Sequence, residues 1–336
     1  MDISYENRSF SNVGCHEYDS DFSATLRVMI EYQRIILADT VRNEAFARAL
    51  QSAIHTGESV VADIGSGTGF LSFLASKLGA KECHLYEQSA LLDLSRALAH
   101  ENGITNLRFH RQHSTQVRKP VQADIVASET LGNFVLEEGI IETMNDAHRF
   151  LKPGGVLLPQ SLRQFVAPIV SDRLWKEVTS WDRVGHDLTF RNAREISCQN
   201  IYVRTLRESD LLAGGAQEWD SVNFLKKNDP IRTAKLEWSV QQPMTIFGFG
   251  LWWVVHLCSG ITLSTAPDAA KTHWEQIYMP VLEPLALEAG DRLQLKLSVD
   301  SHHAVRIHIA WDVRVLAANG APRSHQQLDM HAGQVD

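Results

Sequence analysis

Residues 58–71 read ESVVADIGSGTGFL, and this stretch decides the fold. The apolar run 60–64 predicts a strand, and an apolar segment with helical spacing begins at Phe70. Between them lie glycines at positions 65, 67 and 69. Glycine there lets the backbone approach a ligand closely and point its amides at it. The stretch therefore predicts a strand, a ligand-binding turn and a helix.

Two carboxylates accompany this turn. Asp63 ends the first predicted strand, and Glu87 follows the next one, 83–86. A dinucleotide-binding enzyme more often has G-x-G-x-x-G, whereas here the third glycine comes one residue early. A carboxylate at position 63 would repel a pyrophosphate but suits an ammonium group, and one at position 87 can accept both ribose hydroxyls. The pattern favours S-adenosylmethionine over NAD, and the alternative is a turn that only packs strand against helix.

Strand and helix patterns alternate on both sides of this turn. The predicted helices are 70–78, 91–100 and 140–151, and the further strands are 107–110, 125–127 and one beginning at 156–158. This alternation predicts an α/β fold with a doubly wound, mostly parallel sheet. Helical spacing over 22–56 predicts two helices or one bent helix before the sheet.

Strand patterns dominate after Pro159. The unbroken alternation from Val305 to Val315 predicts a half-buried strand. We expect the final 15 or so residues to be frayed.

Composition narrows the class of protein. The 336 residues carry a net charge of −8, with 44% hydrophobic and 21% charged residues. This excludes wholesale disorder and disfavours a general binder of nucleic-acid phosphates. The cysteines are far apart, which predicts neither a disulfide framework nor a structural zinc site: Cys15, Cys83, Cys198 and Cys258.

The sequence was also searched for targeting and membrane-spanning patterns. No leader pattern is visible at the N-terminus, and the longest apolar run, 246–258, is too short for a membrane helix. We therefore expect a cytoplasmic protein with no membrane partner and no nucleic-acid partner.

Residues 128–139, SETLGNFVLEEG, follow the fourth strand. Glu129 stands where ligand sites of open α/β sheets lie, and Glu138 comes nine residues later. Two carboxylates that converge from one loop suit a cation, above all a guanidinium, because they accept its planar donors in bidentate pairs. The alternative is two unrelated, solvated surface glutamates.

Four segments together resemble the protein arginine N-methyltransferase family. They are the glycine-rich turn, the S-E-x8-E loop, the segment ILADTVR at 36–42, which resembles M-L-x-D-x-V-R, and Thr272-His273-Trp274, which matches a T-H-W loop. They lie in order over about residues 30–315. The resemblance implies an S-adenosyl-L-methionine-dependent enzyme that methylates a guanidino nitrogen.

The resemblance also implies roles for residues. Arg42 would pair with the methionine carboxylate of the cofactor, and Glu87 would hold its ribose. The full cofactor site would comprise Gln33, Arg42, Asp63, Gly65, Ser66, Gly67, Gly69, Glu87, Ser114 and Thr115. Glu129 and Glu138 would be catalytic and clamp the substrate guanidinium, Asp39 and His273 would form a buried catalytic pair, and Trp274 would line the arginine entrance. No metal ligand is predicted.

Some positions depart from the family pattern. A Y-F-x-x-Y segment that covers the cofactor is replaced by DFSATL at 21–26. Gln33 replaces a histidine, Thr130 an aromatic residue, and Ser114 with Thr115 an acid near the adenine. The lid over the cofactor and the substrate funnel are therefore the least family-like parts.

The predicted organisation has three parts: an N-terminal helical segment (1–57), a Rossmann-like domain (58–160) and a β-barrel-like domain (161–325) with an inserted dimerisation arm at about 172–205. The arm is expected to form a homodimer through its apolar residues Leu174, Trp175, Val178, Trp181 and Leu188. The alternative is an arm folded onto its own barrel.

Three functions stay open on the sequence. The expected substrate is arginine in a protein or peptide. The alternatives are a methyltransferase of free L-arginine or another small guanidino metabolite, and a cofactor-binding partner subunit without activity.

Overall fold

A computed structural model describes residues 20–334, with side chains from Met29 onward. The chain divides into two units, residues 1–38 and 39–336, and each is described by itself. The described part of the first unit is one helix. The helices are α1 (Ser20–Ala38), α2 (Thr40–Ala53), α3 (Phe70–Lys77), α4 (Leu91–Glu101), α5 (Ile140–Ala147), α6 (Arg173–Val178) and α7 (Arg191–Cys198). The prediction of two helices over 22–56 is thus confirmed by α1 and α2.

The second unit contains fifteen strands among the described residues. The first five are β1 (Val60–Ile64), β2 (Glu82–Tyr86), β3 (Leu107–His110), β4 (Ala123–Ala127) and β5 (Leu151–Leu158). The others are β6 (Ser161–Ile169), β7 (Tyr202–Arg204), β8 (Gln217–Asn223), β9 (Ile231–Ser239), β10 (Met244–Cys258), β11 (Ile261–Ser264), β12 (Gln276–Leu287), β13 (Arg292–Asp300), β14 (His308–Leu316) and β15 (Pro322–Asp329).

The first five strands form one parallel sheet in the order β3-β2-β1-β4-β5. The order reverses between β1 and β4, so the loops that follow these two strands flank a crevice at the carboxyl edge. This is the predicted Rossmann-like fold. One boundary was wrong, because α5 ends at Ala147 and β5 already begins at Leu151. Pro153 fits inside β5 because β5 is an edge strand.

The remaining strands form two antiparallel sheets. One has the order β7-β12-β10-β6-β8, with β11 beside β10, and the other has the order β15-β14-β13-β9. Alternate buried residues of β14, Ile309 to Val315, face the core as predicted, but the strand begins only at His308 because residues 303–305 form a turn. The expected fraying of the C-terminus was wrong, since β15 pairs with β14 and places Leu328 opposite Trp311.

The predicted arm region contains α6, a 3-10 helix (Ser180–Arg183) and α7. Leu174 and Val178 are buried in the chain's own core. Trp175 packs against the same core, and its indole Nε1 donates to the carbonyl of Val281 at 3.1 Å. The expectation that Leu174 and Val178 form an interface is therefore wrong, and for the partly buried Trp175 it stays a prediction. The predicted alternative, packing on the chain's own β-domain, holds for α6.

The tip of the arm differs from its base. Trp181, Val184 and Leu188 are 38%, 41% and 63% exposed. Trp181 is held by its indole Nε1, which donates to the Ser197 hydroxyl at 2.8 Å. Three apolar side chains of this segment thus remain exposed, and we call these three residues the tip cluster.

The cysteines and the possibility of a membrane-spanning helix can be assessed for the described residues. Cys83, Cys198 and Cys258 are free and buried, while Cys15 lies outside the described residues. Within residues 20–334, none of the helices is long and apolar enough to cross a membrane.

Candidate functional site

The turn after β1 is closed by the carboxylate of Glu87, at the end of β2. Its two oxygens accept the amides of Gly67 at 3.0 Å and Ser89 at 2.7 Å. Gly69 has a φ of +89°, and a Cβ there would lie 2.4 Å from the Ser95 hydroxyl oxygen. Only glycine fits this close approach between turn and helix. The turn predicted from the sequence is therefore present, with the Glu87 carboxylate at the carboxyl edge.

Asp63 faces helix α3. Its Oδ2 accepts the backbone amide of Ser72 at 3.1 Å and the Ser72 hydroxyl at 2.8 Å. The residue is only 1% exposed. Burial raises the pKa of Asp63 to about 6, although the Ser72 hydrogen bonds oppose this shift. Asp63 thus lies beside the turn, and its Oδ2 is occupied by the two hydrogen bonds from Ser72 of α3.

Two hydroxyls of the predicted cofactor site are buried without a hydrogen-bond partner: Ser66 Oγ in the turn and Ser114 Oγ after β3. The Ser114 segment is fixed by Arg149, which donates to the carbonyls of Ser114 and Val117, both at 2.9 Å. The neighbouring Thr115 hydroxyl lies 2.7 Å from His113 Nδ1. Buried polar groups normally have partners. These orphaned hydroxyls fit a polar ligand at this edge.

Glu129, at the end of β4, is paired with Arg42 of α2. Arg42 Nε donates to Glu129 Oε2 at 2.8 Å, and Nη2 donates to the same oxygen. The two side chains are 5% and 9% exposed. Arg42 Nη1 binds Asn43, and its guanidinium lies over the rings of Phe46 and Phe70. Both contacts fall on Oε2, and within the described part of the chain Oε1 accepts only one long hydrogen bond, 3.4 Å, from the Leu131 amide.

Asp39 and His273 form the predicted buried pair. Asp39 Oδ2 accepts His273 Nδ1 at 2.8 Å and the His273 backbone amide at 2.7 Å. Asp39 Oδ1 caps α2 by accepting the Arg42 amide at 2.9 Å. Burial alone would raise the pKa of Asp39, but these hydrogen bonds outweigh it and hold the pKa below its usual value. Burial also lowers the pKa of His273, despite the nearby Asp39 carboxylate.

Trp274 lies inside the protein and not at an open entrance. It is 3% exposed, and its Nε1 donates to the carbonyl of Leu131 at 2.6 Å. Trp253 of β10 packs edge-on against it and donates to the carbonyl of Gly132 at 3.2 Å. The backbone amide of Glu275 donates to the Asn133 side chain at 2.8 Å. The T-H-W segment and β10 thus fasten the loop that carries Glu129.

The two glutamates at the far end of this loop differ in environment. Glu138, the predicted second clamp residue, is exposed. Glu137 is half-buried, and its carboxylate accepts the amides of Asn133 and Phe134. Burial raises the pKa of Glu137 to about 7, although the two amides oppose this shift.

The structure therefore brings Asp39, Arg42, Glu129 and His273 into one hydrogen-bonded network. Gln33 lies on α1, in the first unit, and its role stays a prediction. Sequence reasoning missed Trp253, Asn133, Glu137 and the Arg42–Glu129 pair. Trp253 had a weak signal, because it is one of two adjacent indoles in a strongly apolar strand pattern.

One cluster outside this site contains His308, Asp329 and His331, whose donor atoms lie within 4.8 Å of one another. The two imidazole rings are stacked at 3.8 Å with an angle of 11° between their planes. The lone pairs of stacked rings lie in parallel planes and do not converge on one ion. His308 Nε2 instead hydrogen-bonds Asp329 at 2.7 Å.

Two family models match the chain. The model of a methyltransferase domain covers residues 55–228, and that of the PRMT5 oligomerisation domain covers residues 161–332. This chain belongs to the protein arginine N-methyltransferase family. The predicted family and fold are thereby confirmed.

Relatives of this arginine methyltransferase family member extend over most of its length. Protein arginine N-methyltransferase PRMT10 of Arabidopsis thaliana is 24% identical over 328 residues, which are 86% of each chain. Histone-arginine methyltransferase CARMER of Culex quinquefasciatus is 24% identical over 301 residues, 85% of this chain and 50% of the relative.

Solved structures share the fold of this family member. The crystal structure of Arabidopsis thaliana protein arginine methyltransferase 10 has a TM-score of 0.75 and 22% identity, over 89% of this chain and 97% of its own. The Trypanosoma brucei PRMT1 enzyme-prozyme heterotetrameric complex with AdoHcy has a TM-score of 0.79 and 21% identity, over 89% and 98%.

Proposed function

We propose that this protein is an S-adenosylmethionine-dependent arginine N-methyltransferase that modifies arginine in a protein or peptide. The observation that carries this proposal is the carboxylate of Glu129, which already binds a guanidinium through one oxygen. The second oxygen of this carboxylate and the carboxylate of Glu138 lie in the same loop, and both would contact a substrate guanidinium. The family and its named relatives support the reaction.

S-adenosylmethionine fits the residues at the neighbouring edge. Glu87 would accept the ribose hydroxyls, and the hydroxyls of Ser66 and Ser114, which are buried without a partner among the described residues, would bind other polar atoms of the cofactor. Arg42 would face the carboxylate of the methionine end. When bound, this cofactor supplies an activated methyl group on a sulfonium.

A guanidinium is a weak nucleophile because its charge is delocalised and its pKa lies above about 12. Glu129 and Glu138 would orient it and draw positive charge toward the nitrogens they touch, which leaves more lone-pair character on the remaining nitrogen. The chain also offers proton acceptors. With Nδ1–H donated to Asp39, neutral His273 keeps a lone pair on Nε2, and Glu138 is the alternative acceptor.

The test is incubation with isotopically labelled cofactor and either a Gly-Arg-rich peptide or free arginine, followed by mass spectrometry of both pools. We expect label on peptide arginine, and at least roughly 100-fold less with Glu138→Gln. Label on free arginine alone would shift the proposal to a metabolite methyltransferase. No label in either pool, with the cofactor bound, would identify a partner subunit without activity.

We further propose that the protein is a cytoplasmic homodimer whose contact includes the tip cluster. The match to an oligomerisation domain and the exposure of Trp181, Val184 and Leu188 support an assembly. Leu188→Glu is expected to give folded monomers in sedimentation velocity. Trp175→Glu is the contrasting variant, since it should unfold the β-domain. A Leu188→Glu protein that sediments like a dimeric wild type would remove the tip cluster from the interface.

A further inference from the structure

Glu137 occupies an unusual place in the loop between β4 and α5. Its side chain fills the space beside Gly132: a Cβ on Gly132 would lie 2.3 Å from Glu137 Cγ and 2.4 Å from its Oε1. Gly132 has no positive φ, so its backbone does not require glycine. The missing Cβ is instead explained by the side chain that lies there.

The carboxylate of Glu137 closes the loop on itself. It accepts the backbone amides of Asn133 and Phe134, two residues that follow Gly132 directly. From the other side, Trp253 holds the carbonyl of Gly132, and Glu275 holds the Asn133 side chain. Glu137 therefore completes the fixation of a segment whose ends carry Glu129 and Glu138.

We propose that Glu137 is a positioning residue, whose ionised carboxylate sets the spacing of Glu129 and Glu138 for the substrate guanidinium. The inference rests on the proposed function. Displacement of a binding group by about 1 Å can cost up to roughly 100-fold in rate. A loop that holds the two acids at a fixed distance should therefore increase the rate of methyl transfer.

Ionisation of Glu137 in this environment lowers the stability of the fold. Its pKa of about 7 exceeds the ordinary value of 4.5 because the group is half-buried. Several other titratable groups lie on the segments around this loop: Glu129, which is paired with Arg42, Glu138, His273 and Glu275 of the T-H-W segment, and His303 with Glu142 near Gly139. The group stabilises the fold when protonated, and this contribution is lost as the pH rises through about 7. Ionised Glu137 therefore opposes stability.

The test compares Glu137→Gln with wild type and with Glu101→Gln, an exposed control at the end of α4. We expect Glu137→Gln to melt higher than wild type near pH 8 but not near pH 5, and to lose roughly 10-fold to 100-fold in kcat/KM for an arginine peptide. The cofactor KM should not change. A purely structural residue would change stability without changing the kinetics for arginine.

A second experiment uses the variant Gly132→Ala, whose new methyl group displaces the Glu137 side chain. It should reproduce the kinetic defect, and it should add nothing in the Gly132→Ala/Glu137→Ala double variant. Additive effects, or a Glu137→Gln enzyme with wild-type kcat/KM, would overturn the inference.

If the wild type does not methylate arginine peptides, the proposed function fails, and hydrogen exchange decides on Glu137. Faster exchange of the amides at 133 and 134 in Glu137→Gln, but not in Glu101→Gln, would support the brace. Unchanged exchange would refute it.

Discussion

The turn after β1 and the loop after β4 both place an acid at the carboxyl edge of the parallel sheet, but they hold it differently. Around the turn, the partners are local: Ser72 lies nine residues from Asp63, and Glu87 lies 20 from Gly67. Around the loop, Arg42, Trp253 and Trp274 lie 87, 121 and 143 residues from their partners. The turn is thus held by residues of one α/β unit, whereas the loop is held by residues from much of the chain.

The largest expected effects come from the two acids of the loop, Glu129 and Glu138, which should affect activity alike but stability differently. Glu129→Gln and Glu138→Gln should each lower methylation by roughly 100-fold or more, because preorganised charge contacts are removed. Glu129→Gln should also lower the free energy of unfolding by about 3 kcal/mol, since Arg42 is left as a buried, unpaired charge.

The exposed Glu138 serves as the matched comparison in urea unfolding with turnover measured in parallel. Its Gln variant should unfold within about 0.5 kcal/mol of wild type. Near-normal turnover in both variants would contradict the assigned site, and equal stability would contradict the buried pair.

The stability that Asp63, the acid beside the turn, contributes should depend on pH, because burial is the largest cause of its raised pKa. The pKa of Asp63 is raised from 3.8 to about 6, so its stabilising contribution is complete below the lower value and is lost as the pH rises through the upper one. Asp63→Asn should therefore raise the unfolding free energy relative to wild type near pH 8, by up to about 3 kcal/mol, and have little effect near pH 4. Thermal melts across this range measure it.

Glu58→Gln is the exposed control, and its melting curve should follow that of wild type at each pH. If Asp63→Asn lost stability at high pH instead, the carboxylate would have a stabilising partner that the hydrogen bonds to Ser72 do not explain.

The smallest expected effect concerns the remote indoles. Trp274→Phe keeps an aromatic ring but leaves the Leu131 carbonyl without its donor, at a cost of about 1–2 kcal/mol. Trp238→Phe removes an equally short bond, 2.6 Å, to the carbonyl of Gly215 and should cost about the same. Only Trp274→Phe should also slow methylation, by about 10-fold, because only that bond positions the guanidinium-binding loop. Equal turnover in the two variants would mean that the indole bond does not position the loop.

Local patterns explain how much the sequence could predict. The strand, glycine and strand-end acids around residues 60–87 identify the parallel sheet and the turn, because their partners lie within about one α/β unit. Pairing of β15 left no hydropathy signal, since the strand is largely polar and is held by backbone hydrogen bonds to β14.

The residues that contact the loop after β4 were harder to predict from the sequence. The spacing of Leu174, Trp175 and Val178 marks one apolar helix face, but it does not say whether that face covers the chain's own sheet or a partner. The family resemblance implied Arg42 as a cofactor-binding residue, and the loop pattern suggested Glu129 as a separate substrate-binding residue. Only the fold places α2 against the end of β4.

The distant fastening of the loop also bears on how the protein is made. Residues are added at about 5–20 per second during synthesis, so Trp274 follows Leu131, 143 positions earlier, by roughly 7–30 seconds. During that interval the nascent chain can pair β1 to β5 and close the glycine turn, but its glutamate loop lacks both indole donors. The parallel sheet is thus translated before the two indoles that hold its glutamate loop in place.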